Sequence, residues 1–258
     1  MKVQLLPSSF NRDGSVSQEQ RLTCFVVDDC VAFDAGSLAF SCTDTQRRQI
    51  RDAVISHTHL DHIAGLPIFV DDLFATLTEP FRVHVTAEMA EVLERDIFNW
   101  DVYPKFSTLE NVNGNVVEYV TFEAGKSFTV RHLDVTAFAV NHNSPSLGFV
   151  ISDGIKSIGI TGDTAETTGI WDAFSNCDDL AAILVECAFP NEMGQLAADS
   201  HHLTPARLAV ELTKLKNRSC PVYIVNIKAM YREAVIRQIA DAAIPNVRIL
   251  EVGNVYEF

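Results

Sequence analysis

The sequence predicts a layered α/β protein in which sheet packs on sheet and helices lie outside. Short apolar runs of strand length alternate with helical patterns to the end of the chain. Thr86 and Thr204 each stand directly before a run with helical spacing, where a side-chain oxygen can satisfy the first unpaired N–H groups. No internal repeat, Pro/Ser/Gly-rich linker or charge block divides the 258 residues, so a single domain spanning 1–258 is expected.

Taken in order, Val3 to Leu6, Leu22 to Val27 and Val31 to Phe33 read as strands, with Asp34-Ala35-Gly36 as a turn. Ala53 to Ser56 is the next strand. A helix begins at Ala87, with Met89, Val92, Leu93, Ile97 and Trp100 on one face. The strands Leu133 to Val140, Leu147 to Ser152, Ser157 to Thr161 and Leu180 to Val185 follow. After Thr204, Pro205 suits the first helical position, and Leu208, Leu212 and Leu215 share a face. Val222 to Val225 is the last apolar strand, and Val235, Ile239 and Ala243 mark the apolar face of the helix after it.

Lys and Arg number 20 against 34 Asp and Glu, a formal charge of −14. Affinity for long nucleic acid comes from cations neutralising phosphates, so RNA and DNA are disfavoured as partners; Gln46-Arg47-Arg48 is too short to form a basic arm. The longest apolar run, Leu180 to Val185, is far below the roughly 20 residues that span a bilayer, so no membrane partner is expected. MKVQLLPSSF lacks the apolar core of an export signal. The six cysteines (Cys24, Cys30, Cys42, Cys177, Cys187, Cys220) include no CxxC pair. Reduced thiols and a cytoplasmic location are therefore expected.

Polar residues run off the ends of several strands: His57, His142, Asp163, Glu186 and Asn226. Ligands of α/β sheets gather outside carboxyl strand ends, so these residues can converge. The densest chemistry is His57-Thr58-His59-Leu60-Asp61-His62. Residues two apart on extended chain point the same way, so His57 and His59 can present imidazoles to one ion; if the chain then turns, Asp61 and His62 can face a second. His142 in AVNHNSPSLGF and Asp163 in GITGDTAE are the best distant completions, and a carboxylate at 163 could bridge two cations. His84 and His132 lie inside or beside strand patterns and read as structural. His201 and His202 precede a capped helix and could reach the cleft.

ISHTHLDHIAGL resembles the HxHxDH signature of metallo-β-lactamase-fold hydrolases. More narrowly, HTHLDHIAGL, NHNSPSLGFVISDG, ITGDT, ILVECAFPNE and SHHLTP resemble class II cyclic-nucleotide phosphodiesterases, a branch close to the tRNA 3′-processing endonucleases. The resemblance implies an αββα sandwich, two mixed sheets packed face to face with helices outside, and a two-metal site at one edge. It implies that His57, His59 and His142 hold one divalent ion, Asp61 and His62 the other, and that Asp163 bridges. Zinc is the implied metal, with manganese or iron as alternatives. His202, in HLTP, matches the position of a catalytic histidine, and relatives of this kind are often homodimers. Two departures stand out. Pro67 and Asp71-Asp72 follow the signature where relatives continue with aliphatic residues and a small-residue turn. Asn226 ends VYIV where relatives place a histidine ligand of the second metal.

An asparagine carbonyl is a weaker, neutral ligand than imidazole for zinc, so a second site completed by Asn226 would be weak or retuned toward a harder ion. Asn226 could be a natural change, an introduced substitution, or a position compensated by His201. The expected activity is hydrolysis of a small anionic 3′,5′-cyclic nucleotide such as cAMP to its 5′-monophosphate by a two-metal-activated hydroxide, with Asp61 orienting that hydroxide and His202 protonating the departing 3′-oxygen. The alternatives are another hydrolase on the same scaffold (an RNA 3′-end endonuclease, an arylsulfatase-like enzyme or a lactonase) and a non-catalytic nucleotide-binding protein.

Overall fold

A computed structural model describes residues 1–258 and separates the chain into two compact units. The first comprises Met1–Val16, Leu22–Glu123 and Gly253–Glu257. Its seven-stranded sheet runs Val255–Glu257, Lys2–Leu5, Phe25–Val27, Val31–Phe33, Asp52–Val54, Phe81–Val85, Val117–Thr121. The first three pairings are antiparallel and the last three parallel. Val31–Phe33 and Asp52–Val54 are buried throughout, as central strands are, so Val31–Phe33 reads as an apolar run rather than an alternation, while buried Asp52 requires partners of its own.

The second unit comprises Ser17–Arg21, Ala124–Val252 and Phe258. Its sheet runs Val247–Ile249, Val222–Val225, Leu180–Glu186, Ser157–Ile160, Ser146–Ser152, Leu133–Val140, Ser127–Val130, parallel over the first three pairings and antiparallel over the rest. Helices Gly169–Ser175, Pro205–Glu211 and Arg232–Ala242 cover it through Trp171, Phe174, Leu208, Val235 and Ile239. Two mixed sheets with helices bear out the expected α/β class.

The capped starts hold: Thr86 accepts from the N–H of Met89 and Thr204 from that of Arg207. The helix from Ala87 ends sooner than its apolar spacing suggests. It widens into a π turn over Leu93–Ile97, and Trp100 stands outside it at φ +73°, 60 % exposed, so Trp100 is not a core residue. Ala243 likewise closes the last helix in the left-handed conformation, φ +46°, and is exposed rather than part of the apolar face. All six cysteines are free thiols.

His84 is structural, as expected. Buried Asp52 accepts two guanidinium bonds from Arg82 at 2.6 and 2.8 Å and meets His84 Nε2 at 2.9 Å. Removing the cation of a buried pair leaves an uncompensated charge, at a cost of up to about 3–5 kcal/mol. Arg82→Ala is therefore expected to lower unfolding stability by several kcal/mol in a urea melt, whereas removing Arg95 from its solvent-exposed pair with Asp96 should leave the melt nearly unchanged.

Candidate metal centre

In the first unit, the signature loop is built backbone against backbone. Thr23 N–H donates to the Asp61 carbonyl at 2.8 Å and Ala35 N–H to that of His62 at 2.7 Å. Gly36 sits in this crossing, where a Cβ would lie 1.9 Å from the Asp61 carbonyl oxygen, so any other residue would force the loop apart. Ser56 and Thr23, expected as strand residues, serve instead to hold this loop.

His59 has extended backbone and stands at the N-cap position of the short helix Leu60–Ile63, which carries Asp61 and His62. The expected turn thus gathers the histidines: the His57 ring centroid lies 4.6 Å from that of His59 and 4.1 Å from that of His62. His57 and His62 are buried, while His59 and Asp61 are half-buried.

One buried carboxylate fixes the proton positions. Asp34 Oδ1 accepts the Ser56 N–H at 2.8 Å, and its Oδ2 meets Ser56 Oγ at 2.9 Å and His62 Nδ1 at 2.7 Å. The carboxylate accepts, so His62 carries its proton on Nδ1. Ser56 spends its only hydroxyl proton on Asp34, so toward His57 Nδ1, 3.0 Å away, it accepts. Both rings consequently offer a lone pair at Nε2, the form a divalent metal requires. Asp34 read as a turn residue in the sequence; the signal available there was a carboxylate directly after the apolar run VAF. Asp34→Asn places an amide where two donors need acceptors, and is expected to weaken divalent-metal binding by about 10–100-fold in a chelator competition.

The second unit carries a parallel arrangement. Glu186, 1 % exposed at the end of its strand, accepts from His202 Nδ1 at 2.7 Å and from the backbone N–H groups of Thr164, Ala188 and Leu203. His142 Nδ1 donates to the carbonyl of His201 at 3.0 Å. His201 holds that carbonyl in place through a left-handed backbone, φ +54°, and its own ring meets Asn141 Oδ1 at 2.8 Å. Its imidazole is thus committed to Asn141, not to the neighbourhood of Asn226. Asp163 follows the strand Ser157–Ile160 and is buried. One donor atom from each of His142, Asp163 and His202 lies within 4.8 Å of the others.

Asn226 closes its strand at φ +52°, a conformation asparagine tolerates better than most residues. Its backbone N–H donates to Gln20 Oε1 at 2.8 Å and its side-chain amide donates to Asp163 Oδ1. The group it turns to Asp163 is the nitrogen, not the carbonyl that a metal would bind. Glu186 and Gln20 were not singled out as working residues by the sequence, although the apolar strand AILV running into a glutamate marked the former.

Burial favours the neutral Glu186 carboxyl and raises its pKa, while His202 works the other way. Burial also opposes a proton on His202, but the charge and hydrogen bond of Glu186, reinforced by Asp163, outweigh it and lift the imidazole above its ordinary range. The donor chemistry of both units, imidazole Nε2 lone pairs beside carboxylates, fits a divalent metal such as zinc.

Imidazoles and carboxylates set at strand ends of two mixed sheets define a metal-binding α/β protein. The family model for the beta-lactamase superfamily domain matches residues 27–221. The chain therefore belongs to that superfamily, with the metallo-β-lactamase fold and the divalent-metal binding it implies. It is 27 % identical over 213 residues to a probable 3′,5′-cyclic-nucleotide phosphodiesterase of Yersinia pestis, covering 72 % of this chain and 60 % of that relative's length. It is 33 % identical over 127 residues to a nuclear ribonuclease Z of Triticum aestivum, covering 48 % of this chain and 68 % of the other. Among solved structures, unliganded yeast PDE1 superposes with a TM-score of 0.75 at 16 % identity over 98 % of both chains. The metallo-beta-lactamase fold protein YhfI from Bacillus subtilis does so with a TM-score of 0.73 at 16 % identity over 99 % of both. At that identity the likeness concerns the fold alone.

Proposed function

We propose that the protein is a metal-dependent phosphodiesterase that opens a 3′,5′-cyclic nucleotide, cAMP first among them, to the 5′-monophosphate. The family resemblance assigns His57, His59 and His142 to one divalent ion, Asp61 and His62 to a second, and Asp163 to both; zinc suits these donors best. When bound, the metal supplies positive charge against the phosphate oxygens and lowers the pKa of water. Ring opening leaves an alkoxide at the 3′-oxygen that needs a proton. The observation that carries the reading is His202, whose Nδ1 is seated on buried Glu186 and whose ring lies 5.0 Å, centroid to centroid, from that of His142. With its pKa raised, His202 holds a second proton at Nε2 nearer to neutrality than an ordinary imidazole does and can deliver it to the leaving oxygen. Glu186 steadies the ring and the imidazolium charge.

The relatives that are ribonucleases give a second reading, RNA 3′-end cleavage. A formal charge of −14 with no Lys/Arg-rich segment speaks against a long polyanion and for a small one. Release of 5′-AMP from cAMP with added zinc or manganese, set beside cleavage of a tRNA precursor, tests the choice. Precursor cleavage without cAMP turnover would overturn the cyclic-nucleotide reading, and binding of cAMP without turnover would make the protein a non-catalytic nucleotide-binding protein.

Asn226 bears on the second ion. Imidazole in place of its amide adds a strong nitrogen ligand, so Asn226→His is expected to raise metal content toward two per chain and to increase turnover without added metal. Mass spectrometry of the native protein measures the stoichiometry; two tight metals before the substitution, unchanged by it, would contradict this expectation.

A further inference from the structure

Asn141 directly follows the strand Leu133–Val140, and each of its polar groups is bonded within the second unit. Its N–H donates to Thr164 Oγ1 at 3.2 Å, and its carbonyl accepts the Ala165 N–H at 2.7 Å. The side-chain amide reaches two further residues: Nδ2 donates to the Glu166 carbonyl at 2.9 Å, and Oδ1 accepts from His201 Nδ1 at 2.8 Å. An amide oxygen only accepts, so the direction of the last bond is fixed. Asn141 is nevertheless exposed. Water can satisfy polar groups at such a position, so burial does not compel these bonds. What the partners share is their place in the chain. Thr164 and Ala165 follow Asp163, His201 precedes His202, and Asn141 itself precedes His142. His201 passes the constraint on, because its carbonyl accepts the Nδ1 proton of His142 at 3.0 Å. One short side chain thus ties together the loops that carry His142, Asp163 and His202.

We propose that Asn141 is a positioning residue whose amide clasps these three loops and so fixes His142, Asp163 and His202 relative to one another. It acts through its neighbours, by the His201 arm on His142 and His202 and by the Glu166 arm on the loop that begins at Asp163. The part that concerns His202 rests on the proposed phosphodiesterase activity; the part that concerns His142 and Asp163 requires only the metal binding of the family. Reacting groups held in place before substrate arrives spend no free energy on being ordered, and a displacement of about 1 Å can cost on the order of 10²-fold in rate.

The test uses the full chain. Asn141→Ala keeps both backbone bonds and removes both arms of the amide. Because the residue is exposed, no cavity opens, and the urea midpoint should stay at the parent's value. At saturating metal, kcat for cAMP is expected to fall about 10–100-fold with KM nearly unchanged. A phenyl ester, whose leaving group needs little protonation, should lose less. Chelator competition should show divalent-metal affinity weakened by up to about tenfold, at the low end of what an outer partner of a ligand contributes. Asn141→Asp keeps an oxygen for His201 but loses the donor to Glu166, so it should return the ratio of cAMP to phenyl-ester rates toward the parent's. If the alanine variant keeps kcat and metal affinity within about twofold of the parent, the clasp is idle and the proposal falls. It falls equally if the urea midpoint drops, both esters lose rate alike and aspartate restores nothing, because Asn141 then only stabilises the fold. If the parent turns over no cyclic nucleotide, the proposed activity fails by itself, and metal affinity decides the clasp: weakened binding in the alanine variant upholds it, and unchanged binding overturns it.

Discussion

Replacing His57 and His59 together by alanine is expected to abolish phosphodiesterase turnover and to remove bound metal, while the protein still folds. In the proposed site each ring supplies a direct donor, so the loss of affinity should exceed the about 10–100-fold that follows from changing an outer partner of a ligand. The fold is expected to survive because the loop is held by backbone bonds from Thr23 and Ala35 and by the Asp34 contacts to Ser56 and His62, none of which the substitution touches. His57 is fully buried, so some loss of packing stability is expected, and a thermal melt measures it. Elemental analysis of the double variant decides the assignment: one or more tightly held metals per chain, at the level of the parent, would show that the signature histidines are not ligands.

His202→Ala is expected to have the next largest effect. General acid catalysis is worth about 10²–10⁴-fold, and that is the loss expected for cAMP, whose leaving group is an alkoxide, at saturating metal. An ester with an acidic phenol as leaving group needs little protonation and should lose far less. The pH profile gives an independent sign. A pKa raised above the ordinary imidazole range keeps the acid form present up to higher pH, so the parent rate on cAMP should hold through the ordinary imidazole range and fall as pH rises through the elevated value. That alkaline fall should be missing in the alanine variant. Equal losses on the alkyl and phenyl esters, with the alkaline limb retained, would remove His202 from the acid's role.

The alternation of strand and helix was legible because central parallel strands such as Leu180–Glu186 are continuous apolar runs bounded by polar ends. Strands with weaker signatures escaped. Val117–Thr121 and Ser127–Val130 are partly exposed and carry charged or hydroxyl residues, and Val255–Glu257 is a short edge strand. The false extension of the Ala87 helix to Trp100 shows the limit of periodicity: the spacing continues, but the backbone passes through a π turn and then into positive φ.

The candidate site divides in the same way. The histidines were legible because four ligand-type side chains within six residues have few other uses. Their support was not. Asp34 and Ser56 are 22 residues apart in sequence, and Gln20 reaches Asn226 across 206; only the fold brings such pairs together. Asn226 itself was visible as a departure from the family's histidine, but the direction of its amide, toward Asp163, is a property of the folded chain.

The most direct single measurement is elemental analysis of the purified protein paired with cAMP turnover on the same sample, before and after removal of the metal by a chelator. The proposed activity predicts at least one divalent metal per chain, production of 5′-AMP in proportion to metal content, loss of turnover on chelation and recovery with zinc or manganese. Stoichiometric metal with no hydrolysis of any 3′,5′-cyclic nucleotide, or turnover that persists in fully demetallated protein, would contradict it.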